Sequence, residues 1–122
     1  MIRHIVMWQV RGDTAQEKRI SGERVKEAFE GLRGRIPGMR HLEIGIDTST
    51  VDYACDVVLV SDFESREALE AYANHPEHLR VRQQLGDVRT ARYQVDYEVS
   101  QPITSSLVSS VSPAAEASDA NA

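Results

Sequence analysis

The pattern of hydrophobic and polar positions divides most of the chain into alternating and helix-spaced segments. Alternation, with many β-branched and aromatic residues, predicts four strands, at residues 2–10, 39–47, 55–63 and 89–99. Both faces of the first strand carry apolar side chains, whereas a sheet with one solvated face alternates more cleanly. We therefore expect each face of the sheet to be covered.

Apolar residues near helical spacing predict a first helix that begins after Thr14 and runs to about Arg35. Thr14 and Glu17 have the spacing of a capping box. Ile20 falls among the apolar positions of this helix. Gly22 weakens its first half and marks a candidate break.

Two shorter helices are predicted at residues 65–74 and 76–85. Pro76 separates them, because proline lacks the N–H that a continuing helix needs but suits the first position of a new helix. On the second of these helices we expect Leu79 and Leu85 to be buried.

The element order β-α-β-β-α-β is typical of the α+β class and of the ferredoxin-like arrangement, a four-stranded antiparallel sheet with its helices on one face. Apolar residues on the other face of the sheet then need a second cover. The simplest cover is a second copy of the same sheet, so we predict a homodimer through the sheet faces, a dimeric α+β barrel.

Composition separates a domain at residues 1–99 from a Ser- and Ala-rich segment at residues 100–122. The segment has two prolines, no aromatic residue and no periodicity, so we expect a disordered tail. The net charge of −5 argues against nucleic acid and anionic membranes as partners. No apolar run is long enough to span a membrane. The single cysteine, Cys55, fits a reducing, cytoplasmic location.

The candidate chemistry is concentrated between residues 72 and 78. Pro76 at a helix start places His78 in the first turn, where the positive helix end favours a neutral imidazole that can act as a general base. The hydroxyl of Tyr72 could reach a carbonyl in a pocket between helix and sheet. The alternative is structural: Tyr72 is a core aromatic residue, and His78 forms a local hydrogen bond.

Other side chains are candidates for lining a cavity, namely His4, Trp8, His41 and His75. The four histidines lack the spacing of metal ligands, so we expect no metal site and no cofactor. A possible ligand is a small carbonyl-containing or apolar molecule.

Several motifs resemble the stress-responsive A/B barrel family, small dimeric α+β barrel proteins. They are MIRHIVMW at the start, the Ile36-Pro37-Gly38 turn, Phe63-Glu64-Ser65 and the stretch AYANHPEHLRV. The resemblance covers about residues 1–98 and implies the fold and the homodimer described above. Many members of the family are known only as stress-associated proteins.

The chain also distantly resembles the plant enzyme olivetolic acid cyclase, which closes a linear polyketide by aldol condensation. That resemblance implies that Tyr72 positions a substrate and His78 acts as base. A third-strand histidine of the cyclase is absent, since Asp56-Val57 stand there. Three hypotheses follow: a barrel protein of unassigned reaction with a small cavity, a cofactor-free cyclase or isomerase, and a binding module for a small apolar ligand.

Overall fold

A computed structural model describes residues 1–100 of the chain. Apart from Ser100, the predicted disordered tail at residues 100–122 lies outside the described residues. The elements are β1 Ile2–Val10, α1 Ala15–Glu30, β2 Met39–Ile46, β3 Val57–Phe63, α2 Arg66–Ala73, α3 Pro76–Leu85 and β4 Arg89–Glu98. Their order confirms the predicted βαββαβ arrangement, with α2 and α3 in place of the second helix.

The four strands form one antiparallel sheet in the order β2-β3-β1-β4. Side chains alternate between its two faces, and one face packs on the helices. The even-numbered residues of β1 point to this face, where Val6 and Trp8 are almost fully buried. Leu59 and Phe63 of β3 and Phe29 of α1 complete the centre of the core.

Helix α1 begins as predicted and ends earlier than predicted. Thr14 caps it by accepting a hydrogen bond from the backbone N–H of Glu17. The helix is continuous through Gly22, so the candidate break is absent; Gly22 is buried beside Val57. The helix ends at Glu30 rather than near Arg35, and turns occupy residues 31–35.

Two apolar positions that were expected inside are exposed. Ile20 of α1 is 55% exposed and Leu79 of α3 is 45% exposed. On α3 the buried residues are Val81 and Leu85, four apart on one face, and Leu79 lies off that face. The prediction of a buried Leu79 was wrong because Val81, two residues further on, faces the core, which turns Leu79 away from it.

The edge strand β4 is the part of the sheet that the helices leave open. Helix α1 packs on β2 and α3, and α2 packs on β1 and β3, but among the described elements no helix packs closely on β4. The residues of β4 on the helix side are accordingly polar: Arg92 pairs with Trp8, Gln94 with Val6 and Asp96 with His4. The gap above this strand forms the candidate site.

Candidate functional site

A cleft of about 680 Å³ lies between α2, α3 and the helix side of β1 and β4. Its apolar wall comes from core residues that include Val6, Trp8, Phe29, Leu59 and Leu69. Its polar wall comes from β4 and from the exposed ends of the helices. Tyr72 and His78 both line it. The cleft therefore has the mixed walls that small-molecule sites commonly show.

Tyr72 is held in the cleft wall by helix α2 and by aromatic neighbours. Ser65 caps α2 by accepting a hydrogen bond from the N–H of Ala68, and Tyr72 lies two turns further on. Its ring centroid is 5.2 Å from that of Phe63, and only 4% of the residue is exposed. Burial raises the pKa of Tyr72 well above its ordinary value, so its hydroxyl keeps its proton and can donate it in a hydrogen bond.

His78 stacks on Tyr72, with ring centroids 4.2 Å apart and an angle of 25° between the planes. Its Nδ1 lies 3.3 Å from the backbone oxygen of Ala73. Because a carbonyl oxygen only accepts hydrogen bonds, Nδ1 carries the hydrogen and Nε2 of the neutral ring keeps a free lone pair. Burial lowers the pKa of His78, and the positive charge of Arg82 lowers it further. The expected neutral imidazole is thus explained mainly by burial rather than by the helix end.

A second histidine, His4, meets a carboxylate across the sheet. His4 on β1 lies directly opposite Asp96 on β4, and Nδ1 of His4 is 2.5 Å from Oδ1 of Asp96. The side-chain amide of Gln94 donates to the other carboxylate oxygen at 2.8 Å. The carboxylate fixes the ring and its tautomer, so Nε2 of His4 is the nitrogen left to interact with a ligand. The His4 ring lies 6.3 Å from the Tyr72 ring, edge to face.

Comparison with known families gives one match that spans the domain. The model of the family described as Stress responsive A/B Barrel Domain matches residues 2–99. The chain belongs to this family. The resemblance noted from the sequence motifs is thereby confirmed. No match is found among curated proteins.

Solved structures place the barrel domain among ferredoxin-like folds. A dimeric protein of unknown function from Bacteroides fragilis is 31% identical, with a TM-score of 0.70 over 80% of this chain and 95% of its own. A dimeric ferredoxin-like protein from Thermobifida fusca is 22% identical, with a TM-score of 0.68 over 80% and 90%. A hydroxynitrile lyase from Passiflora edulis is 15% identical, with a TM-score of 0.66 over 84% and 96%. The last two likenesses show the fold alone.

The cleft brings together four of the six residues that the sequence singled out. His4, Trp8, Tyr72 and His78 all line it. His75 does not: it is the N-cap of α3, and its Nδ1 accepts a hydrogen bond from the N–H of Glu77 at 3.1 Å. His41 does not line the cleft either, since its side chain is half exposed beside Glu43 on the edge strand β2.

The polar wall of the cleft was not predicted from the sequence. Asp96 and Arg89 line the cleft, and neither stood out in the chain because each belongs to an ordinary strand pattern. The position of Asp96 opposite His4 comes from the register of β1 with β4, which the pattern of a single strand does not reveal.

The described part of the chain contains neither a cluster of metal-binding side chains nor a membrane-spanning helix. No group of three or more His, Cys, Asp or Glu side chains is arranged to hold a metal ion. Within residues 1–100, no helix has the length and apolar character needed to cross a membrane.

Proposed function

We propose that this barrel domain is a cofactor-free enzyme that removes a proton from the carbon next to a carbonyl group, with His78 as the general base and Tyr72 as the group that binds the carbonyl oxygen. The observation that carries the proposal is one open cleft lined by both side chains. A closed, fully packed core at this position would have favoured a structural role. The product is an isomer or a ring closed by aldol condensation.

The proposed chemistry follows from the protonation states of His78 and Tyr72. Nε2 of His78 takes the proton from carbon, and the electron pair of that C–H bond moves into the carbonyl group. The Tyr72 hydroxyl donates a hydrogen bond to the oxygen on which negative charge develops. The imidazolium then returns its proton to the new product. Both groups start neutral, since burial lowers the pKa of His78 and raises that of Tyr72.

His4 and Asp96 are proposed to support this reaction from the sheet side. The carboxylate holds Nδ1 of His4, so the ring keeps one orientation in the cleft wall. From there Nε2 can bind a hydroxyl or a second carbonyl of the substrate.

The walls of the cleft favour an enzyme over a site for a wholly apolar ligand. Charged and polar side chains from α2, α3 and β4 make up one side of it, including Glu70, Arg82 and Asp96. A wholly apolar ligand would shield the exposed Glu70 and Arg82 from water without offering them a partner, at a cost in binding free energy. One solved structure with this fold is named as a hydroxynitrile lyase, which shows only that the fold can house an enzyme.

We further propose that residues 1–99 act as one domain of a homodimer. The sheet face opposite the helices carries a large apolar surface, formed by Ile5, Met7, Val58, Val60, Tyr93, Val95 and Tyr97. A second copy of the same sheet would cover this surface. Two neighbours of the same fold are described as dimeric. The lone thiol of Cys55 accords with the proposed cytoplasmic location.

Turnover on a panel of polyketide and β-keto compounds tests the proposed reaction. The wild-type protein is expected to convert at least one member of the panel. His78→Ala should lower that rate by about a hundredfold or more, which is the usual contribution of a general base. His41→Ala removes an exposed histidine outside the cleft and should leave the rate unchanged. The proposal fails if the wild type converts none of the compounds, or if His78→Ala keeps the full rate.

A further inference from the structure

Positive charge dominates the polar wall of the cleft. Four guanidinium groups from three different elements line it: Arg66 on α2, Arg82 on α3, and Arg89 and Arg92 on β4. Only two acidic side chains line it among the described residues, Glu70 and Asp96. Asp96 is already engaged by His4 and Gln94. The cleft therefore has an excess of positive charge that its own carboxylates do not balance.

Arg89 is the arginine most deeply placed in this wall. Its guanidinium carbon lies 5.5 Å from the centre of the Trp8 ring and 5.7 Å from that of Phe29. No carboxylate of residues 1–100 lies within ion-pair distance of it. Burial, together with the positive charges of Arg82 and Arg92, lowers the pKa of Arg89. An anionic partner would strongly stabilise a partly buried cation in this setting.

The indole of Trp8 adds an unused hydrogen-bond donor in the same wall. Trp8 is 3% exposed and stacks on Phe29, with ring centroids 4.9 Å apart. Its Nε1 is buried and has no hydrogen-bond partner among the described residues. Leaving such a donor unpaired is unfavourable, because the N–H has lost its hydrogen bond to water and gained none in the protein. Buried polar groups without partners are rare in folded proteins, and a ligand acceptor is one explanation for this one.

We propose that the substrate carries a carboxylate as well as its reacting carbonyl, and that Arg89 binds this carboxylate with the indole N–H of Trp8 as a further donor. The proposal deepens the proposed function, on which it rests for the reacting carbonyl. A planar carboxylate matches the fork of a guanidinium group and can accept two parallel hydrogen bonds from it. The apolar wall of the cleft, which includes Val6, Leu59 and Leu69, then suits an apolar or aromatic body attached to the acid. Arg82 and Arg92, which are exposed residues of the cleft, strengthen the electrostatic attraction of the carboxylate.

Binding of benzoylpropionate, a stable aromatic keto acid, tests the site. Its methyl ester has the same ring and ketone but no negative charge. Calorimetric titration of the full chain should show the acid binding at least tenfold more tightly than the ester. Trp8 is the only tryptophan of the chain, so its fluorescence should change on binding of the acid. Inorganic phosphate, titrated separately, distinguishes a carboxylate site from a general anion site.

Arg89→Gln should weaken binding of the acid at least tenfold and leave binding of the ester unchanged. Arg19→Gln removes the same charge from an exposed position of α1 outside the cleft and should bind the acid like the wild type. Should Arg89→Gln fail to fold, Arg92→Gln changes an exposed cleft residue and is expected to weaken acid binding severalfold.

Equal affinity for acid and ester, or an unchanged affinity of a folded Arg89→Gln, would overturn the carboxylate site. Phosphate binding as tight as that of the acid would also overturn it. Because the readout is equilibrium binding, it does not depend on turnover. A wild-type protein that does not bind the acid therefore refutes this inference alone, whereas absence of turnover in a wild-type protein that binds the acid refutes the proposed reaction alone.

Discussion

Tyr72 and His78 acquire their proposed roles from the same physical cause. Burial disfavours the charged form of each group, so it raises the pKa of the phenol and lowers the pKa of the imidazole. Near neutral pH the pair is therefore an uncharged donor beside an uncharged base. The 4.2 Å stack keeps the two rings on the same wall of the cleft.

Burial of His78 also predicts how stability depends on pH. With a lowered folded pKa, the unfolded chain binds the proton more readily than the folded protein does. Stability is then complete above the ordinary histidine pKa of about 6.5 and is lost as the pH falls towards the lower folded pKa. His78→Gln should therefore lose less unfolding free energy than the wild type between about pH 7.5 and pH 5.5.

Urea denaturation at both pH values measures this difference. His41→Gln, which changes an exposed histidine outside the cleft, is the matched control for removing an imidazole. An equal loss in wild type and His78→Gln would show that His78 titrates alike in the folded and unfolded states.

Single residues differ in how well the sequence predicts them. Tyr72 and His78 stood out because the proline between them fixes a helix start locally. Asp96 did not, since its role comes from His4, to which only the strand register joins it. The proposed role of Arg89 depends in the same way on its contact with the ring of Trp8, a residue far away in the sequence. Such pairings are properties of the folded sheet, not of a short segment.

At the scale of elements, the turn between α1 and β2 helps to position the helix that carries Tyr72. Gly38 in this turn has φ +81°, a left-handed conformation that glycine adopts without strain. A Cβ atom at this position would lie 2.7 Å from the Cβ of Ala68 on α2. The close approach of turn and helix therefore requires a glycine.

Alanine substitutions at Gly34 and Gly38 distinguish the stability cost of backbone strain from the cost of a close contact. Gly34 has a similar φ of +77° but nothing within 4 Å of a Cβ, so Gly34→Ala should cost only the left-handed strain, about 1–2 kcal/mol. Gly38→Ala should cost clearly more, because α2 must also move. Chemical denaturation of both variants checks this order. Equal losses would mean that the turn does not constrain α2.

The sequence predicted element types better than it predicted packing. Alternation and capping patterns are local, and Thr14 and Pro76 mark helix starts as expected. The helix α1 continues through Gly22 because packing overrides local propensity: Gly22 is buried in ordinary contact with Val57. The exposure of Leu79 likewise depends on how α3 meets the core.

At the scale of the whole molecule, the uncovered sheet face predicts dimerisation. Val95 is 51% exposed in the single chain and pairs with Ile5 on that face. Val95→Asp should leave the fold of the chain intact and should abolish the dimer, because it would bury an unpaired charge in the interface. Sedimentation at micromolar concentration measures the result.

Tyr53→Asp provides the matched control. Tyr53 is 87% exposed and lies in the loop before β3, so this variant should remain dimeric. A wild-type protein that sediments as a monomer at micromolar concentration would contradict the proposed homodimer.

The order of the predicted elements was enough to predict the fold as a whole, but it did not predict the cleft. The βαββαβ order has few sterically sensible topologies, and the ferredoxin-like sheet is one of them. The cleft exists because no helix of the described chain packs closely on β4 and because that strand turns polar residues such as Gln94 towards the helices. Strand alternation alone leaves open which face of β4 meets the core.

The central claim is that the cleft removes a proton from carbon next to a carbonyl, and deuterium exchange measures that step directly. Proton NMR in D₂O should show the α-hydrogens of a bound keto compound exchanging faster with the wild-type protein than without it. His78→Ala should abolish the acceleration, and Tyr72→Phe, which keeps the stacked ring, should reduce it about tenfold or more. Exchange that is no faster with the wild type, or equally fast with His78→Ala, would contradict the account.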